Sequence, residues 1–107
     1  MKEENEIWMP LDKFYGYEVS NKGHVKSISY HNQGISKLLK PCVIGGKNYT
    51  VTFCLNGKVY KRSVKYLVAQ AFMEDPGKAY ALYNINGDVT DCRVENLEFR
   101  KRNQGNN

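Results

Sequence analysis

The chain has 107 residues, of which 41% are hydrophobic and 25% are charged, and its formal net charge is +5 at pH 7. This length allows one small domain, or two very small units that share one apolar core. No stretch approaches the roughly 18 apolar residues of a membrane-spanning helix, and the charged N-terminus has no apolar run typical of a signal peptide. We therefore expect a cytoplasmic protein with no membrane partner.

The first third of the chain predicts short strands and turns. Tyr17 and Val19 alternate with polar residues, Asn21-Lys22-Gly23 is a turn signal, and Val25 and Ile28 resume the apolar pattern. This pattern indicates a β-hairpin.

The middle of the chain predicts a second hairpin followed by a helix. Residues 49–55 alternate with a period of two, Asn56-Gly57 is a strong hairpin dipeptide, and a return strand is expected over residues 58–62. Apolar residues then recur at helical spacing over Val64–Phe72, which predicts an amphipathic helix. We expect Asp75-Pro76-Gly77 to stop it.

The last third predicts a less regular structure. Residues 80–85 and those after Asn86-Gly87 are expected to form an irregular hairpin, and residues 94–102 a short helix with Leu97 and Phe99 facing inward. Asp91 is placed to cap that helix. We expect the tail, residues 103–107, to be flexible.

The three cysteines, Cys42, Cys54 and Cys92, are odd in number and contain no C-x-x-C pair. This argues against a disulfide framework and against a structural zinc site. Small buried thiols are the simplest interpretation. A zinc site that combines cysteines with His24 or His31 is the alternative, although no ligand spacing supports it.

The charges are unevenly distributed, because no acidic residue lies between Glu18 and Glu74. The cations inside this stretch are Lys22, Lys26, Lys37, Lys40, Lys47, Lys58, Lys61, Arg62 and Lys65. A stretch of one sign attracts a polyanion, and DNA is the obvious candidate because neutralising its phosphates releases counterions. A lysine-rich solvated surface is the alternative.

Two segments in the N-terminal third carry a resemblance to a known module. They are Glu6-Ile7-Trp8-Met9-Pro10-Leu11 and Tyr15-Gly16-Tyr17-Glu18-Val19-Ser20-Asn21-Lys22-Gly23-His24-Val25-Lys26-Ser27. In order and spacing they resemble the NUMOD-type module that precedes HNH domains in homing endonucleases.

Three later segments carry a second resemblance: Val64-Lys65-Tyr66-Leu67-Val68-Ala69-Gln70-Ala71-Phe72, Leu82-Tyr83-Asn84-Ile85-Asn86-Gly87-Asp88 and Arg93-Val94-Glu95-Asn96-Leu97-Glu98-Phe99. They resemble the HNH endonucleases of phages and mobile introns. The resemblance implies an α+β fold, in which a small β-rich NUMOD-like module over residues 1–36 precedes a degenerate HNH core of the ββα-metal type over residues 37–102.

The resemblance also implies where the catalytic groups would be. Lys65 stands where the family has its first histidine, Tyr83 at the first metal-ligand position and Asn84 at the general-base histidine, whereas Asn96 keeps the family's residue. An amide cannot act as a general base, and neutral tyrosine is a poor ligand for magnesium. We therefore expect lost cleavage and no cofactor, with Mg²⁺ bound only if some nuclease activity remains. The substitute metal ligands would be Asp88, Asp91 and Asn96, with Asn86 nearby.

The leading hypothesis is a catalytically inactive, DNA-binding protein of phage or mobile-element origin, which would act in a bacterial host cell on double-stranded DNA. The candidate contact residues are Lys22, His24, Lys26, Lys47, Lys58, Lys61, Arg62 and Lys65. One alternative is a phage-encoded inhibitor that binds a host nuclease or defence protein through exposed aromatic residues, namely Tyr60, Tyr66, Tyr80 and Tyr83. The other alternative is a weak metal-dependent DNA nickase.

Overall fold

The computed structural model describes residues 5–30 and 35–102. Within them the order of elements is β1 (Trp8–Pro10), β2 (Tyr17–Ser20), β3 (Val25–Tyr30), β4 (Ile35–Leu38), β5 (Cys42–Ile44), β6 (Asn48–Leu55), β7 (Lys58–Ser63), α1 (Val64–Phe72), β8 (Tyr80–Asn84), a 3₁₀ turn (Val94–Asn96) and β9 (Leu97–Lys101). Short strands with one α-helix confirm the expected α+β class. His31 and the tail over residues 103–107 lie outside the described residues.

The N-terminal sheet is antiparallel with the strand order β1-β2-β3-β4. Its central hairpin confirms the predicted one. Val19 of β2 lies opposite Val25 of β3, and both side chains are buried in the core. Gly23 in the connecting turn has a φ of 87°, a conformation that residues with a Cβ rarely adopt.

The second sheet has the order β5-β6-β7, and its β6–β7 hairpin is also the predicted one. Asn56 and Gly57 both have positive φ, as a two-residue type I′ turn requires. Val51 and Phe53 are buried, whereas Thr52 and Cys54 between and after them are exposed. The period-two pattern of β6 therefore separates a core face from a solvent face.

Helix α1 follows β7 directly and packs its apolar stripe on the sheets, with Val64, Leu67, Val68 and Ala69 buried. It ends at Phe72, where extended Met73 donates its N–H to the carbonyl of Ala69. The helix therefore ends before the predicted stop signal. In the described part of the chain, no helix has the length and apolarity to cross a membrane.

The predicted helix over residues 94–102 is wrong. Only the 3₁₀ turn Val94–Asn96 is helical, and β9 then pairs antiparallel with β8, placing Leu97 opposite Asn84 and Phe99 opposite Leu82. The return strand of this hairpin therefore starts at Leu97 and not directly after Asn86-Gly87. Leu97 and Phe99 face inward, as expected, but through the period of a strand.

One hydrophobic core joins the two sheets, the helix and the C-terminal hairpin. Its buried members are Leu11, Val19, Val25, Val51, Phe53, Val64, Leu67, Val68, Ala69, Leu82, Cys92 and Leu97. Strand β4 spans residue 36, at which a division into two units is predicted, and the core draws on both sides of that position. The division stays a prediction.

The cysteines only partly follow the expectation of buried thiols. Cys92 is buried, and burial raises the pKa of its thiol to about 11. The expectation is wrong for Cys42 and Cys54, which are exposed. Cys42 lies on the edge strand β5 and Cys54 on the solvent face of β6, so neither position is covered.

Candidate functional site

The loop of residues 85–96, which connects β8 to β9, is closed by the buried side chain of Asn96. Its Nδ2 donates to Asn86 Oδ1 at 3.0 Å and to the carbonyl of Asp91 at 2.8 Å, while its Oδ1 accepts the N–H of Asn86 at 3.2 Å. The Asn96 carbonyl accepts the N–H of Ile85 at 2.7 Å. Asn96 therefore ties the two ends and the middle of this loop together.

Asn84, at the position that the family resemblance assigns to the general base, is also part of this scaffold. It is buried, and its Nδ2 donates to the carbonyl of Asp91 at 3.0 Å. The Asp91 carbonyl thus accepts from both Asn84 and Asn96. A neutral amide held in this way binds the backbone but cannot take a proton from water.

Tyr83 points to the opposite face of β8, because successive side chains alternate along a strand. Its side chain is exposed, and the guanidinium carbon of Arg100 lies 4.7 Å from the ring centroid. Glu98 lies opposite Tyr83 on β9 and forms an ion pair with Arg100. The structure therefore brings Asn84 and Asn96 together and leaves Tyr83 apart from both.

Lys65, on the first turn of α1, reaches back to β8 and donates from Nζ to the Leu82 carbonyl at 3.1 Å. It borders a small recess next to Asn84. The residues that line this recess are Lys47, Tyr49, Ser63, Lys65, Asn84 and Val89. Burial, and then the nearby Cys92 and Asp88, raise the pKa of the Tyr49 phenol, so its hydroxyl keeps its proton. Two cations and two hydroxyl side chains therefore surround the side chain of Asn84.

The carboxylates proposed as substitute metal ligands are engaged within the loop. Oδ1 of Asp88 accepts from the N–H of Thr90 at 3.0 Å and from its Oγ1 at 2.7 Å. The carboxylate of Asp91 accepts from Arg93 Nε at 2.8 Å and Nη2 at 2.9 Å, and from Asn86 Nδ2 at 3.0 Å. The hydrogen bond from Arg93 lowers the pKa of Asp91 to about 2.

The helix-capping role expected of Asp91 is wrong, because a single 3₁₀ turn replaces the expected helix and Arg93 precedes that turn. Asp91 is a positioning residue for the loop. Across residues 5–30 and 35–102, no three His, Cys, Asp or Glu side chains are grouped as a metal site would require. The roles of Asp88, Asp91 and Asn96 as ligands stay predictions.

The basic residues of the N-terminal sheet have acidic neighbours. His24 Nδ1 lies 2.5 Å from Glu6 Oε2, and Lys26 Nζ lies 3.8 Å from Glu18 and 4.1 Å from the centroid of a Trp8 ring. Burial raises the pKa of Glu6, but hydrogen bonds from Ser20 and His24 and the charges of His24 and Lys22 outweigh it, so the pKa is lowered. Carboxylates therefore lie close to these candidate contact residues, Glu6 to Lys22 and His24 and Glu18 to Lys26.

The basic residues of β7 have no carboxylate within salt-bridge distance among the described residues, but they do not share one face. Lys58, Tyr60 and Arg62 point to one side of the strand, and Lys61 points to the other. The Arg62 guanidinium carbon lies 5.1 Å from the Phe14 ring centroid and 5.3 Å from that of Tyr60. These contacts hold Arg62 toward the N-terminal loop.

Arg62 borders a groove of about 310 Å³ between the N-terminal loop and α1. Its lining residues are Asp12, Lys13, Phe14, Arg62, Ser63, Tyr66, Leu67 and Gln70. Ser63 borders both this groove and the recess at Lys65. The groove that holds Lys13 and Arg62 therefore adjoins, at Ser63, the recess that holds Lys47 and Lys65, and we call these four residues the basic strip.

Lys13 was absent from the candidates drawn from the sequence because it precedes the acid-free stretch and stands next to Asp12. No local signal in the sequence distinguishes Lys13 from other surface lysines.

The expectation that four tyrosines are exposed is only partly correct. Tyr66 and Tyr83 are exposed, but Tyr80 is half-buried and Tyr60 packs on the rings of Phe14 and Phe53.

Comparisons with known proteins agree with this architecture. The NUMOD4 motif matches residues 6–62. The uncharacterized HNH endonuclease L247 of Acanthamoeba polyphaga mimivirus is 32% identical over 103 residues, which are 92% of this chain and 25% of that protein. A solved structure titled "DNA binding and cleavage by the HNH homing endonuclease I-HmuI" matches with a TM-score of 0.76 and 25% identity, over 89% of this chain and 52% of that one.

The chain therefore spans a quarter of the curated relative and about half of the solved homologue. The motif match covers more than half of the chain, and it runs from β1 to the next-to-last residue of β7. The protein belongs to the NUMOD4 family and is similar in sequence and fold to HNH endonucleases.

Proposed function

We propose that this chain binds double-stranded DNA through the basic strip and does not cleave it. The observation that carries the proposal is the clustering of these cations: the groove at Lys13 and Arg62 adjoins, at Ser63, the recess that Lys47 and Lys65 form beside Asn84. The solved homologue binds and cleaves DNA, according to its title. We infer that the basic strip is the surface through which this chain binds DNA.

Charge supports DNA as the ligand. None of the four cations of the strip has a carboxylate within salt-bridge distance among the described residues, so each is available for a phosphate. Arg62 is held by two aromatic rings, and Lys65 by the Leu82 carbonyl. Side chains that are already ordered lose less conformational freedom when they bind. Such contacts determine affinity and register rather than the base sequence.

The chemistry at Asn84 supports the absence of cleavage. Hydrolysis of a phosphodiester by a metal-bound water needs a base whose pKa is near the working pH. The buried amide of Asn84 has no basic group that titrates in this range. Tyr83 faces away from Asn96, so these two positions do not form a pair of ligands for one cation. We therefore expect binding without turnover.

The test uses purified protein, one fluorescent duplex and one supercoiled plasmid. We expect anisotropy to report binding that weakens steeply as salt is raised, because each neutralised phosphate releases counterions. The plasmid should remain supercoiled with Mg²⁺, with Mn²⁺ and with EDTA. Absence of binding at low salt would refute the proposed function, and metal-dependent nicking would refute the loss of cleavage.

Two alternatives make different predictions, the first in the same plasmid assay and the second in a pull-down from host lysate. A residual nickase using Asp88 would cut the plasmid with metal, and Asp88→Ala would abolish the cut. An inhibitor of a host nuclease or defence protein would retain that partner after the DNA is digested, through exposed rings such as Tyr66 and Tyr83. The basic strip favours DNA over both.

A further inference from the structure

Tyr15 is the most exposed large hydrophobic residue in the described part of the chain. Its side chain is 90% exposed, compared with 64% for Val59, which is next. Single exposed apolar residues are common on protein surfaces. Exposure alone therefore does not indicate a function for Tyr15.

The loop around Tyr15 is held on both sides. Leu11 N–H donates to the Tyr17 carbonyl at 2.9 Å, and Ile28 N–H donates to the Gly16 carbonyl at 2.9 Å. The Phe14 ring, next to Tyr15, packs edge-on against Phe53 with centroids 5.1 Å apart. Tyr15 is therefore presented to solvent by an anchored loop, which lowers the entropic cost of using the ring in binding.

The backbone of this loop also departs from the usual conformations. Lys13 has a φ of 72°, although it is not glycine, and Gly16 has a φ of 95°. A lysine in the left-handed region costs free energy that the rest of the structure must offset. The result is a tight turn with Lys13 on one side of Tyr15 and the anchored Gly16 on the other.

Tyr15 lies at one end of the basic strip. Lys13 borders the groove that contains Arg62, and it also borders a second, open groove of about 430 Å³. The second groove is lined by Leu11, Lys13, Tyr15, Leu55 and Asn56. A polyanion that follows the strip past Arg62 and Lys13 would therefore meet the Tyr15 ring next.

We propose that Tyr15 stacks on a nucleobase of the bound DNA, while Lys13 contacts an adjacent phosphate. In a duplex the faces of the bases are covered by neighbouring base pairs, so the Tyr15 ring would enter a base step and partly unstack it, as apolar side chains do in other proteins. Stacking of an aromatic ring on a base does not read the sequence, because every base has a π face. The inference rests on the proposed DNA binding and adds the part of DNA, a base, that this loop would contact.

The test compares wild type with Tyr15→Ala, Tyr15→Phe and Val59→Ala on one duplex at low salt. We expect Tyr15→Ala to weaken binding about five-fold, near the lower end of the range for loss of a base–aromatic stack, because unstacking a base step of the duplex offsets part of the gain. Its salt dependence should be unchanged because no charge is lost. Tyr15→Phe should bind like wild type, and so should Val59→Ala, which removes exposed apolar surface elsewhere.

A base-level readout comes from duplexes that carry 2-aminopurine at successive positions. We expect saturating wild type and Tyr15→Phe to change the emission at one base step, and saturating Tyr15→Ala to leave it unchanged. Equal affinity and equal emission for wild type and Tyr15→Ala would overturn the stacking proposal and leave DNA binding intact. If wild type shows no salt-sensitive binding, the proposed function and this inference fall together. Thermal melting of each variant excludes unfolding as the cause.

Discussion

The side chain of Asn96 shows how one buried amide can hold a whole loop. It makes three hydrogen bonds, to Asn86 and to the Asp91 carbonyl, across a loop of residues 85–96 that contains no strand. These bonds give Asn96 a structural role in the loop that requires no metal ion, and its role as a metal ligand stays a prediction.

The variant Asn96→Ala should lower the free energy of unfolding by about 1–3 kcal/mol, because it leaves partners in this loop without their hydrogen bonds. Urea denaturation followed by circular dichroism measures the change. Asn48→Ala, at an exposed position of β6, serves as the control and should change stability by less than about 0.5 kcal/mol. An equal, small effect of both substitutions would contradict the role given to Asn96.

The ion pair of Asp91 and Arg93 makes a specific contribution to acid stability. The pKa of Asp91 is lowered from 3.8 to about 2, so its charged form stabilises the fold above pH 4, and this contribution is lost as the pH falls from about 4 to 2. Asp91→Asn should be less stable at pH 7 by less than about 1 kcal/mol, because Arg93 is half exposed and solvent screens the pair.

Urea midpoints measured from pH 2 to pH 6 check this. The wild type should lose more stability across the acid window than Asp91→Asn does. Glu98→Gln, which removes the exposed Glu98–Arg100 pair, is the matched control and should follow the wild-type curve closely. If the urea midpoints of wild type and Asp91→Asn changed in parallel with pH, Asp91 would make no contribution to acid stability.

At the scale of the element, β7 places two neighbouring cations on opposite faces. Arg62 turns toward Phe14 and the basic strip, whereas Lys61 lies on the solvent face of the sheet with Thr52 as its cross-strand partner. Each substitution to alanine removes one positive charge. Comparing the two alanine variants therefore distinguishes the effect of net charge on DNA binding from the effect of where that charge lies.

We expect Arg62→Ala to weaken binding to duplex DNA about five-fold or more and to reduce the slope of log K against log salt by about one. Lys61→Ala should weaken it about two-fold at most, through long-range charge alone. Anisotropy titrations at four or more salt concentrations provide both values. Equal losses would mean that net charge, and not the strip, controls binding.

At the scale of the whole molecule, the N-terminal sheet meets the C-terminal loop at Gly23. A Cβ on Gly23 would lie 3.0 Å from the backbone C and O and from the Cβ of Cys92. Beside this contact, Val94 N–H donates to the Asn21 carbonyl at 2.9 Å. The turn over residues 21–23 therefore packs directly on the loop that carries the candidate site.

Gly23→Ala should destabilise the protein by about 3 kcal/mol or more, because it adds steric overlap to the cost of a positive φ. Gly46→Ala measures the cost of a positive φ alone, because Gly46 has a φ of 76° and open space around it. We expect this substitution to lower the free energy of unfolding by about 1 kcal/mol. Unfolding is followed by Trp8 fluorescence and by circular dichroism. If the two substitutions had equal effects, the close approach at Cys92 would be without consequence.

Local patterns in the sequence were sufficient for the elements whose partners are close along the chain. The β2–β3 and β6–β7 hairpins and α1 follow from alternation, turn residues and helical spacing within about ten residues. The prediction of a helix over residues 97–101 is wrong because the positions of Leu97 and Phe99 suit either a helix or a strand. Pairing with β8 makes this segment a strand, and β8 is separated from it by a long loop. Short-range periodicity carries no information about such a partner.

The resemblance to HNH endonucleases, and the prediction that Lys65, Tyr83 and Asn84 stand at its catalytic positions, follow from the sequence because they depend only on which residue stands at which place. Which charged side chains lie close to one another depends on the tertiary structure. It pairs His24 with Glu6, turns Lys61 away from Arg62 and brings Lys13 into the basic strip. Electrostatic interactions depend on distances in space, and the fold makes those distances short between residues far apart in the chain.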